Sequence, residues 1–324
     1  MSPVGTHTEI AVERLGRAGL ITLNRPAALN ALTLPMIQAI QVALDQHLAD
    51  PAVQVIVIRS SSPKAFCAGG DMRRIRELSL AGATDEIAAF FREEYALNRA
   101  IADCTKPYVA LLDGIAMGGG LGLSIHGRHR VVTEHASLAM PETAIGFIPD
   151  VGASHFLAKL EPAIGMWLAL AGARISGIEA FAAGLVTQLT RREHLEALLA
   201  ALANQDAGPI EAVLQRFSEP IDQAALLATL RERSAGFDAP TLDAVLNVWR
   251  NRAGSHALAA FSPAALVQSF ELLQAARGRS LAECLALEFD GSMIAAFHPD
   301  FIEGARAVLV DKDRNPRWLP LPAA

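Results

Sequence analysis

Residues 108–125, YVALLDGIAMGGGLGLSI, form the stretch of sequence that decides the fold. Its first part, Tyr108–Leu112, is a short apolar run, which is typical of a buried strand. The glycines Gly118–Gly120 follow in a turn, and a helix is predicted from there to about His126. The stretch is long enough to cross a membrane, but a lipid-facing helix would have to solvate Asp113. It therefore predicts a buried strand, a glycine turn and a helix, and no membrane span.

An earlier segment has the same order of strand, glycine turn and helix. Ala68-Gly69-Gly70-Asp71 follows the β-branched strand Val53–Ile58, and a helix is predicted to start at the turn. Glycine lets a substrate approach the backbone closely, and N–H groups at a helix start attract an anion. Two such turns that face each other form an oxyanion hole from peptide N–H groups alone. Tight packing explains either turn alone, but the pair, at the ends of two strands, favours a functional site.

The segments around these turns define the fold class. They predict a hairpin from Ile10–Val12 and Leu20–Leu23, a helix from about Pro35, a helix over Thr84–Asp103, and short strands at Arg130–Thr133 and Leu138–Met140. From Val151 onward the pattern is almost entirely helical, with breaks near Gly172, Gly184, Gly208 and Gly254. An α/β front with a helical rear follows from this order.

The composition is that of a folded, mildly acidic chain. Of its 324 residues, 52% are hydrophobic and 19% are charged, and the formal net charge is −6. That balance argues against general nucleic-acid binding, which needs a basic face. Three cysteines, an odd and sparse number, indicate reduced thiols, and the start MSPVGTHTEI lacks the pattern of a signal peptide. The sequence thus predicts a cytoplasmic protein with neither nucleic acid nor membrane as a partner.

Carboxylates in apolar surroundings are the candidate acid–base groups. Glu142 and Asp150 lie eight residues apart in an otherwise apolar stretch. Apolar surroundings raise the pKa of a carboxyl group, and a second carboxylate nearby raises one of the pair further. The alternative is that both are loop acids facing solvent. Glu93 and Glu94 lie in an aromatic-rich helix, so one is expected to face solvent and the other to be buried.

Other chemical motifs are absent or weak. The dinucleotide, P-loop and serine-hydrolase glycine patterns all fail in this sequence. His126 and His129 have the spacing of a zinc pair, but no further ligands stand in register, so polar residues at a helix end are expected. Cys67 has no visible base nearby, which favours a small buried thiol over a nucleophile. No metal site is predicted.

Three motifs together carry a family resemblance. They are Leu23-Asn24-Arg25-Pro26 with Leu29-Asn30-Ala31-Leu32, Phe66-Cys67-Ala68-Gly69-Gly70-Asp71, and Gly114-Ile115-Ala116-Met117-Gly118-Gly119-Gly120. The chain resembles the enoyl-CoA hydratase/isomerase (crotonase) superfamily. The resemblance implies an α/β fold, a crotonase-like ββα spiral with an all-helical C-terminal extension. It further implies division into a spiral acyl-CoA-binding domain, 1–200, and a helical region, 201–324.

The same resemblance implies an acyl-CoA substrate held by backbone groups. The N–H groups of Gly70 and Gly119 would bind the thioester oxygen, and Gly69 would line the substrate site. Coenzyme A is then part of the substrate, and no separate cofactor is expected. A homo-oligomer, a trimer or a hexamer, is also implied.

Within the superfamily, the motifs favour the hydrolase branch. Hydratases carry a glutamate where this chain has Gly122, and usually a glycine where it has Asp150. By contrast, five segments are similar to the 3-hydroxyisobutyryl-CoA hydrolases: Phe91–Tyr95, Gly122–Gly127, Met140–Gly146, Pro149–Gly152 and the tail from Glu303 to Trp318. The chain departs from that branch at Ala153-Ser154-His155, where glycines and a tyrosine are more usual.

The hydrolase resemblance assigns roles to the acids. Glu142 would be the nucleophile that forms a transient anhydride, or the base that activates water. Asp150 would orient water or hold a proton, and Glu94 would bind the substrate hydroxyl. Arg25 and Lys312 are candidate contacts to the CoA phosphates.

Two other functions compete with hydrolysis of a 3-hydroxyacyl-CoA in valine catabolism. One is an enoyl-CoA hydratase or isomerase that works with Glu142 alone, which the missing carboxyl at Gly122 disfavours. The other is a non-catalytic acyl-CoA-binding subunit. It is disfavoured because a subunit without chemistry has no need for buried acids such as Glu94, Glu142 and Asp150.

Overall fold

A computed structural model describes residues 9–253 and 260–320. Two expectations fall outside these ranges. Most of the N-terminal segment MSPVGTHTEI lies in residues 1–8, and the predicted helix break at Gly254 lies in the second gap.

Ten strands lie within the described residues. They are β1 (Ile10–Leu15), β2 (Ala18–Leu23), β3 (Val55–Ser60), β4 (Ala65–Cys67), β5 (Tyr108–Leu112), β6 (Ile115–Met117), β7 (His129–Thr133), β8 (Ser137–Ala139), β9 (Ile175–Ser176) and β10 (Gln188–Thr190).

The helices of the described residues are α1 (Leu34–Ala49), α2 (Met72–Leu80), α3 (Thr84–Ala102), α4 (Gly119–Ile125), α5 (Ala153–Leu157), α6 (Pro162–Ala171), α7 (Gly177–Ala182), α8 (Leu195–Ala203), α9 (Ile210–Arg216), α10 (Gln223–Ser234), α11 (Leu242–Ala253), α12 (Pro263–Ala276), α13 (Leu281–Ala296) and α14 (Pro299–Ala305). Short 3-10 turns occupy Pro26–Ala28, Glu142–Ile145 and Arg192–His194, and a π-helical turn occupies Arg306–Val310.

Side-chain caps explain where several helices begin. The hydroxyl of Thr33 accepts a hydrogen bond from the backbone N–H of Met36 at the start of α1. The carboxylate of Asp71 caps α2, so the residue that ends the first glycine turn also starts the helix after it. Ser280 and Glu283 form a capping box at the start of α13. Each cap satisfies backbone N–H groups that have no partner within the helix.

The described residues form two compact units. The first unit comprises 9–70, 96–138 and 175–226, and the second comprises 71–95, 139–174, 227–253 and 260–320. Both units draw on segments from either side of residue 200. The predicted division into 1–200 and 201–324 stays a prediction.

The strands of the first unit form two sheets. One has six strands in the order β1-β2-β3-β5-β7-β10, and the other has four in the order β4-β6-β8-β9. The chain adds one strand to each sheet in turn, as in the pairs β3 and β4, β5 and β6, and β7 and β8. The pairs β2–β3, β3–β5, β5–β7 and β7–β10 are all parallel. This alternation confirms the predicted ββα spiral.

The core of the first unit lies between the six-stranded sheet and two later helices. Alternate residues of neighbouring strands, such as Val55, Val57, Val109 and Leu111, share one face because side chains in a strand alternate. Apolar residues of α8 and α9 pack on that face: Leu198, Leu199, Leu202, Val213 and Leu214. Burial of this cluster holds the six-stranded sheet, whose strands β3 and β5 directly precede β4 and β6 in the chain.

Four short strands were missed in the sequence. β4 lies between β3 and the first glycine turn, which was expected to follow the strand Val53–Ile58. β9 pairs with β8 and β10 pairs with β7, although the chain beyond Val151 was expected to be almost entirely helical. β6 occupies part of the predicted turn and pairs with β4. Each has only two or three residues, too few for an alternating pattern to be visible.

Candidate active site

The two glycine turns lie side by side in the first unit. They follow β4 and β6, which are parallel neighbours, so the turns leave the same edge of the sheet. A Cβ atom at Gly69 would lie 3.3 Å from the carbonyl oxygen of Met117 and 3.7 Å from the Gly119 nitrogen. A Cβ atom at Gly120 would lie 2.4 Å from the carbonyl oxygen of Cys67. Because the two backbones are this close, side chains larger than hydrogen do not fit between them.

Backbone conformation and hydrogen bonds also hold these turns. Gly69 has φ +104°, a backbone angle that residues with a Cβ atom rarely adopt. Its carbonyl accepts a hydrogen bond from the N–H of Leu32. Gly118 is likewise left-handed, with φ +47°, and α4 begins directly after it. The N–H of Gly119 therefore belongs to the first turn of a helix, where backbone donors lack intrahelical partners. The structure thus brings Gly69, Gly70 and Gly119 together in one unit.

Three of the predicted acids meet in the second unit. Glu142 is the first residue of the 3-10 turn Glu142–Ile145, Asp150 follows in a loop, and Glu94 lies on α3. Their exposed fractions are only 8%, 6% and 2%. One of the two neighbouring glutamates was expected to be buried, and it is Glu94, whereas Glu93 is only partly buried. Two loop acids facing solvent, the alternative for Glu142 and Asp150, are excluded.

Apolar packing around the acids explains their pKa values. Phe91 stacks on Phe147 with ring centroids 5.7 Å apart. Burial raises the pKa of Glu142 well above its usual value, and the charge of Asp150 raises it further. Burial also raises the pKa of Glu94 well above its usual value, and the charges of Asp150 and Glu142 add to the shift. The pKa of Asp150 is raised by burial to about 7, against the lowering effect of a hydrogen bond from Tyr95.

Hydrogen bonds distinguish Asp150 from the two glutamates. The Tyr95 hydroxyl donates to Oδ2 of Asp150 at 2.7 Å and also lies 2.7 Å from the hydroxyl of Ser292. Among the described residues, Oε1 of Glu94 and Oε2 of Glu142 are buried and have no hydrogen-bond partner. Buried polar atoms are normally paired, so both oxygens fit a ligand that supplies a partner.

Sequence reasoning missed one buried acid in the same unit. Glu288 on α13 is fully buried, and burial raises its pKa to about 8. Hydrogen bonds from Gly152 and Ser154 oppose that shift, and the charge of Asp150 adds to it. Helical spacing could have found it, because Glu288 falls four residues after Cys284 and four before Ser292, both buried.

The remaining candidates have fewer contacts that bear on the proposed chemistry. Arg25, in the first unit, forms an ion pair with Glu9 at 3.0 Å and donates to the carbonyl of Ala31. Lys312, in the second unit, is exposed and has φ +60°. Gly122 is buried within α4 and, as read from the sequence, provides no carboxyl group.

The histidines and cysteines show no sign of metal chemistry within the described ranges. His129 lies in β7 rather than at a helix end, and its Nε2 is 3.7 Å from a carboxylate oxygen of Glu211. Across 9–253 and 260–320, no three His, Cys, Asp or Glu residues are grouped to hold a metal ion. Cys67 is a buried free thiol, as predicted. None of the described helices has the length and apolar character to span a membrane.

Comparison with known proteins adds a family. The family model described as "Enoyl-CoA hydratase/isomerase" matches residues 18–323. A curated relative from Danio rerio, named "3-hydroxyisobutyryl-CoA hydrolase, mitochondrial", is 40% identical over 97% of this chain and 85% of its own length. Its counterpart of the same name from Rattus norvegicus is 41% identical over 97% of this chain and 86% of its own length.

Solved structures give the same fold under a different name. The structure of an enoyl-CoA hydratase from Rhodobacter sphaeroides is 39% identical and superposes with a TM-score of 0.85, covering 96% of this chain and 92% of its own. Relatives of similar identity thus carry names for different reactions. The residues of the site, rather than the fold, must decide between these reactions.

Proposed function

The chain belongs to the enoyl-CoA hydratase/isomerase family, and we propose that it hydrolyses the thioester of 3-hydroxyisobutyryl-CoA or a related short 3-hydroxyacyl-CoA. The observation that carries the proposal is the buried pair of carboxyl groups, Glu142 and Asp150, whose pKa values are raised by burial. The names of the curated relatives support the same reaction. The reaction is one step in the breakdown of valine.

The backbone turns are assigned to the carbonyl oxygen of the substrate. In the proposed reaction, the N–H groups of Gly70 and Gly119 donate to that oxygen, and Gly69 allows the acyl group to lie close to the backbone. The oxygen becomes negatively charged as the tetrahedral intermediate forms. Preorganised N–H donors stabilise that charge without rearranging, and loss of one such donor typically lowers a rate about 10²- to 10³-fold.

Glu142 is assigned to bond formation at the carbonyl carbon. In one route its carboxylate attacks that carbon, the thiolate of coenzyme A leaves, and water hydrolyses the resulting anhydride. In the other route it takes a proton from water, which attacks directly. Both consume one water and release an acid and free coenzyme A. A single turnover in H₂¹⁸O tests the anhydride route, because water that attacks the Glu142 carbon of the anhydride leaves ¹⁸O in that side chain, whereas direct attack of water on the thioester leaves none.

Asp150 is assigned to the water or proton that completes either route. Its carboxyl group accepts a hydrogen bond from Tyr95, which fixes the side chain, and its pKa of about 7 suits proton exchange at neutral pH. A non-catalytic acyl-CoA-binding subunit gains nothing from such a group, because burying a carboxyl destabilises the fold.

Glu94 is assigned to the hydroxyl group of the acyl chain. Its buried Oε1 lacks a partner among the described residues, and a 3-hydroxyl group supplies one. An acyl group without the hydroxyl would leave this oxygen unpaired, which is how a buried polar group rejects a close analogue. This assignment supports a 3-hydroxyacyl-CoA as substrate.

Hydration with a single glutamate is the second candidate, favoured by the name of the 39% identical solved structure. It requires Glu142 to act without a second acid at Gly122. One assay compares the two. The protein is incubated with 3-hydroxyisobutyryl-CoA, isobutyryl-CoA and crotonyl-CoA while free thiol and enoyl absorbance are followed.

We expect rapid thiol release from 3-hydroxyisobutyryl-CoA and much slower release from isobutyryl-CoA. Loss of enoyl absorbance without thiol release would establish hydration instead. No reaction with any of the three, together with measurable binding, would favour the acyl-CoA-binding subunit.

Further proposals concern the CoA contacts, the cofactor, the assembly and the location. Arg25 and Lys312 are proposed to contact the CoA phosphates, no cofactor besides the substrate is proposed, and the assembly is proposed to be a trimer or hexamer. A cytoplasmic location is supported by three free cysteines, which fit a reducing compartment, whereas the names of the curated relatives place those proteins in mitochondria. Light scattering and cell fractionation test the assembly and the location.

A further inference from the structure

Glu288 has no role in the reaction described above, yet it is one of the most heavily bonded acids in the second unit. Its two carboxyl oxygens accept hydrogen bonds from the Gly152 N–H at 2.5 Å, the Ser154 N–H at 2.8 Å and the Ser154 hydroxyl at 2.5 Å. The side chain is fully buried on α13. All three donors lie within four residues of Asp150 in the sequence.

The loop that Glu288 holds is strained. The Ala153 N–H donates to the Asp150 carbonyl and closes a four-residue turn. Both central residues of that turn are left-handed, with φ +56° at Val151 and +82° at Gly152. A β-branched residue such as valine strongly disfavours this conformation, which persists only where the surrounding structure enforces it.

The helix that carries Glu288 also reaches the carboxyl group of Asp150. Ser292 lies one turn further along α13, and its hydroxyl is 2.7 Å from that of Tyr95. Tyr95 in turn donates to Oδ2 of Asp150. The helix therefore fixes the backbone after Asp150 through Glu288 and the carboxyl group itself through Ser292 and Tyr95.

We propose that Glu288 is a positioning residue that holds the strained turn after Asp150, so that the carboxyl group of Asp150 is kept in its reactive orientation. The inference rests on the proposed function only for the role of Asp150. Ser154 completes the arrangement, since its hydroxyl supplies the third donor. The segment Ala153-Ser154-His155, where this chain departs from the hydrolase branch, thus contributes a bond of its own to the site.

The substitution Glu288→Gln tests the proposal with little change in shape. Glutamine has one oxygen instead of two, so its amide N–H₂ would face the N–H of Gly152 or Ser154 as donor against donor. We expect kcat to fall about 10- to 100-fold, because small displacements of a reacting group have effects of this size, and KM to stay within about threefold. Ser154→Ala removes one bond of the three and should give a smaller fall in kcat.

Asp300→Asn is the matched control. Asp300 is another buried acid of the second unit that accepts two hydrogen bonds, from the Ser262 hydroxyl and the Leu319 N–H. We expect this variant to lose thermal stability without a comparable fall in kcat. If the kcat of Asp300→Asn falls as far as that of Glu288→Gln, general destabilisation explains both and the proposal is overturned.

A double-mutant cycle separates positioning from direct participation. In an Asp150→Asn background, Glu288→Gln should lower kcat by less than about threefold, because residues that act through one another are not additive. If the two losses multiply in full, Glu288 acts independently of Asp150 and the proposal is overturned.

Hydrogen exchange gives a readout that does not depend on activity. In Glu288→Gln, the amides of residues 147–158 should exchange faster than in the parent chain, whereas Asp300→Asn should leave them unchanged. If hydrogen exchange in Glu288→Gln is unchanged, Glu288 does not hold this loop and the proposal is overturned. If the parent chain itself fails to release thiol from 3-hydroxyisobutyryl-CoA, the proposed function fails, and this exchange measurement still decides whether Glu288 holds the loop.

Discussion

The glycine turns of the first unit and the acids of the second unit are built on opposite principles. The turns use only backbone groups. Because Gly69 and Gly120 have no side chain, the two backbone segments can lie close together. The acids use side chains that burial makes unfavourable to ionise, as the raised pKa values of Glu94, Glu142 and Asp150 show. The glycine turns depend on close packing of the backbone, whereas burial of the three acids lowers the stability of the fold.

This difference determines how each group should respond to mutation. A glycine that gains a methyl group changes shape, so we expect both structure and rate to suffer. An acid that becomes an isosteric amide keeps its shape, so we expect a large change in rate or in pH dependence with little change in fold. Four mutations test this contrast, from the largest expected effect to the smallest.

The largest effect is expected from Glu142→Gln. The amide can neither attack a thioester nor accept a proton from water, so thiol release should fall about a thousandfold or more while KM changes little. Because the side chain is buried and uncharged glutamine is easier to bury, thermal stability should be equal or higher. Thiol release that persists in this variant would remove Glu142 from the mechanism.

A smaller loss, about a hundredfold in kcat, is expected from Gly120→Ala. The new methyl group would lie 2.4 Å from the Cys67 carbonyl oxygen, so the two turns must separate and the N–H of Gly119 must move. Gly184→Ala is the control in the same unit. Gly184 is left-handed with open space around it, so this variant should lose about 1 kcal/mol of stability and keep its kcat. Equal kcat values for both variants would contradict a catalytic role for the turns.

The contrast also explains how much the sequence could predict. Both glycine turns were predicted from the sequence, because glycines between a strand and a helix indicate a close backbone approach, although the first turn follows β4 rather than the strand Val53–Ile58. The aromatic-rich helix predicted that one of Glu93 and Glu94 is buried, and only the family resemblance pointed to Glu94. Short strands such as β9 and β10 could not be predicted, because two or three residues carry no periodic pattern.

Glu288 was missed for a different reason. It lies in the helical extension, more than a hundred residues from Asp150, and its role depends on a contact that local sequence does not encode. A buried polar residue on an apolar helix face was visible, but its partners Gly152 and Ser154 appear only in the folded chain. Contacts of this kind, between residues far apart in the sequence, cannot be predicted from local sequence patterns.

The pH dependence of Asp150→Asn should separate the two coupled acids. The proposed reaction needs Glu142 ionised, so kcat/KM of the parent chain should rise with pH along a limb well above pH 4.5. Removing the charge of Asp150 removes one cause of the raised pKa of Glu142, so the limb should move to lower pH. The measurement is kcat/KM between pH 5 and 9 for both proteins. If the limb stays at the same pH in Asp150→Asn, the charge of Asp150 does not affect the pKa of Glu142.

The smallest effect is expected in the stability of Glu94→Gln. Burial, with the charges of Asp150 and Glu142, raises the pKa of Glu94 in the folded chain above its unfolded value. Below pH 4 the group is protonated in both states. As pH rises, the unfolded chain loses this proton while the folded chain keeps it, so stability falls until the folded-state pKa is reached. Glutamine does not titrate, so the variant should escape this loss.

The comparison is therefore between two pH values and two neighbouring residues. At pH 5 the melting temperatures of Glu94→Gln and the parent chain should be similar, and at pH 8 the variant should melt about 2–4 °C higher. Glu93→Gln, on the same helix but only partly buried, serves as the control and should show no such gain. A gain of equal size in both variants would point to the overall charge of α3 as the cause. A gain confined to Glu94→Gln would show that the buried carboxyl group of Glu94 lowers the stability of the fold. This is expected of a group whose hydrogen-bond partner is a hydroxyl of the substrate.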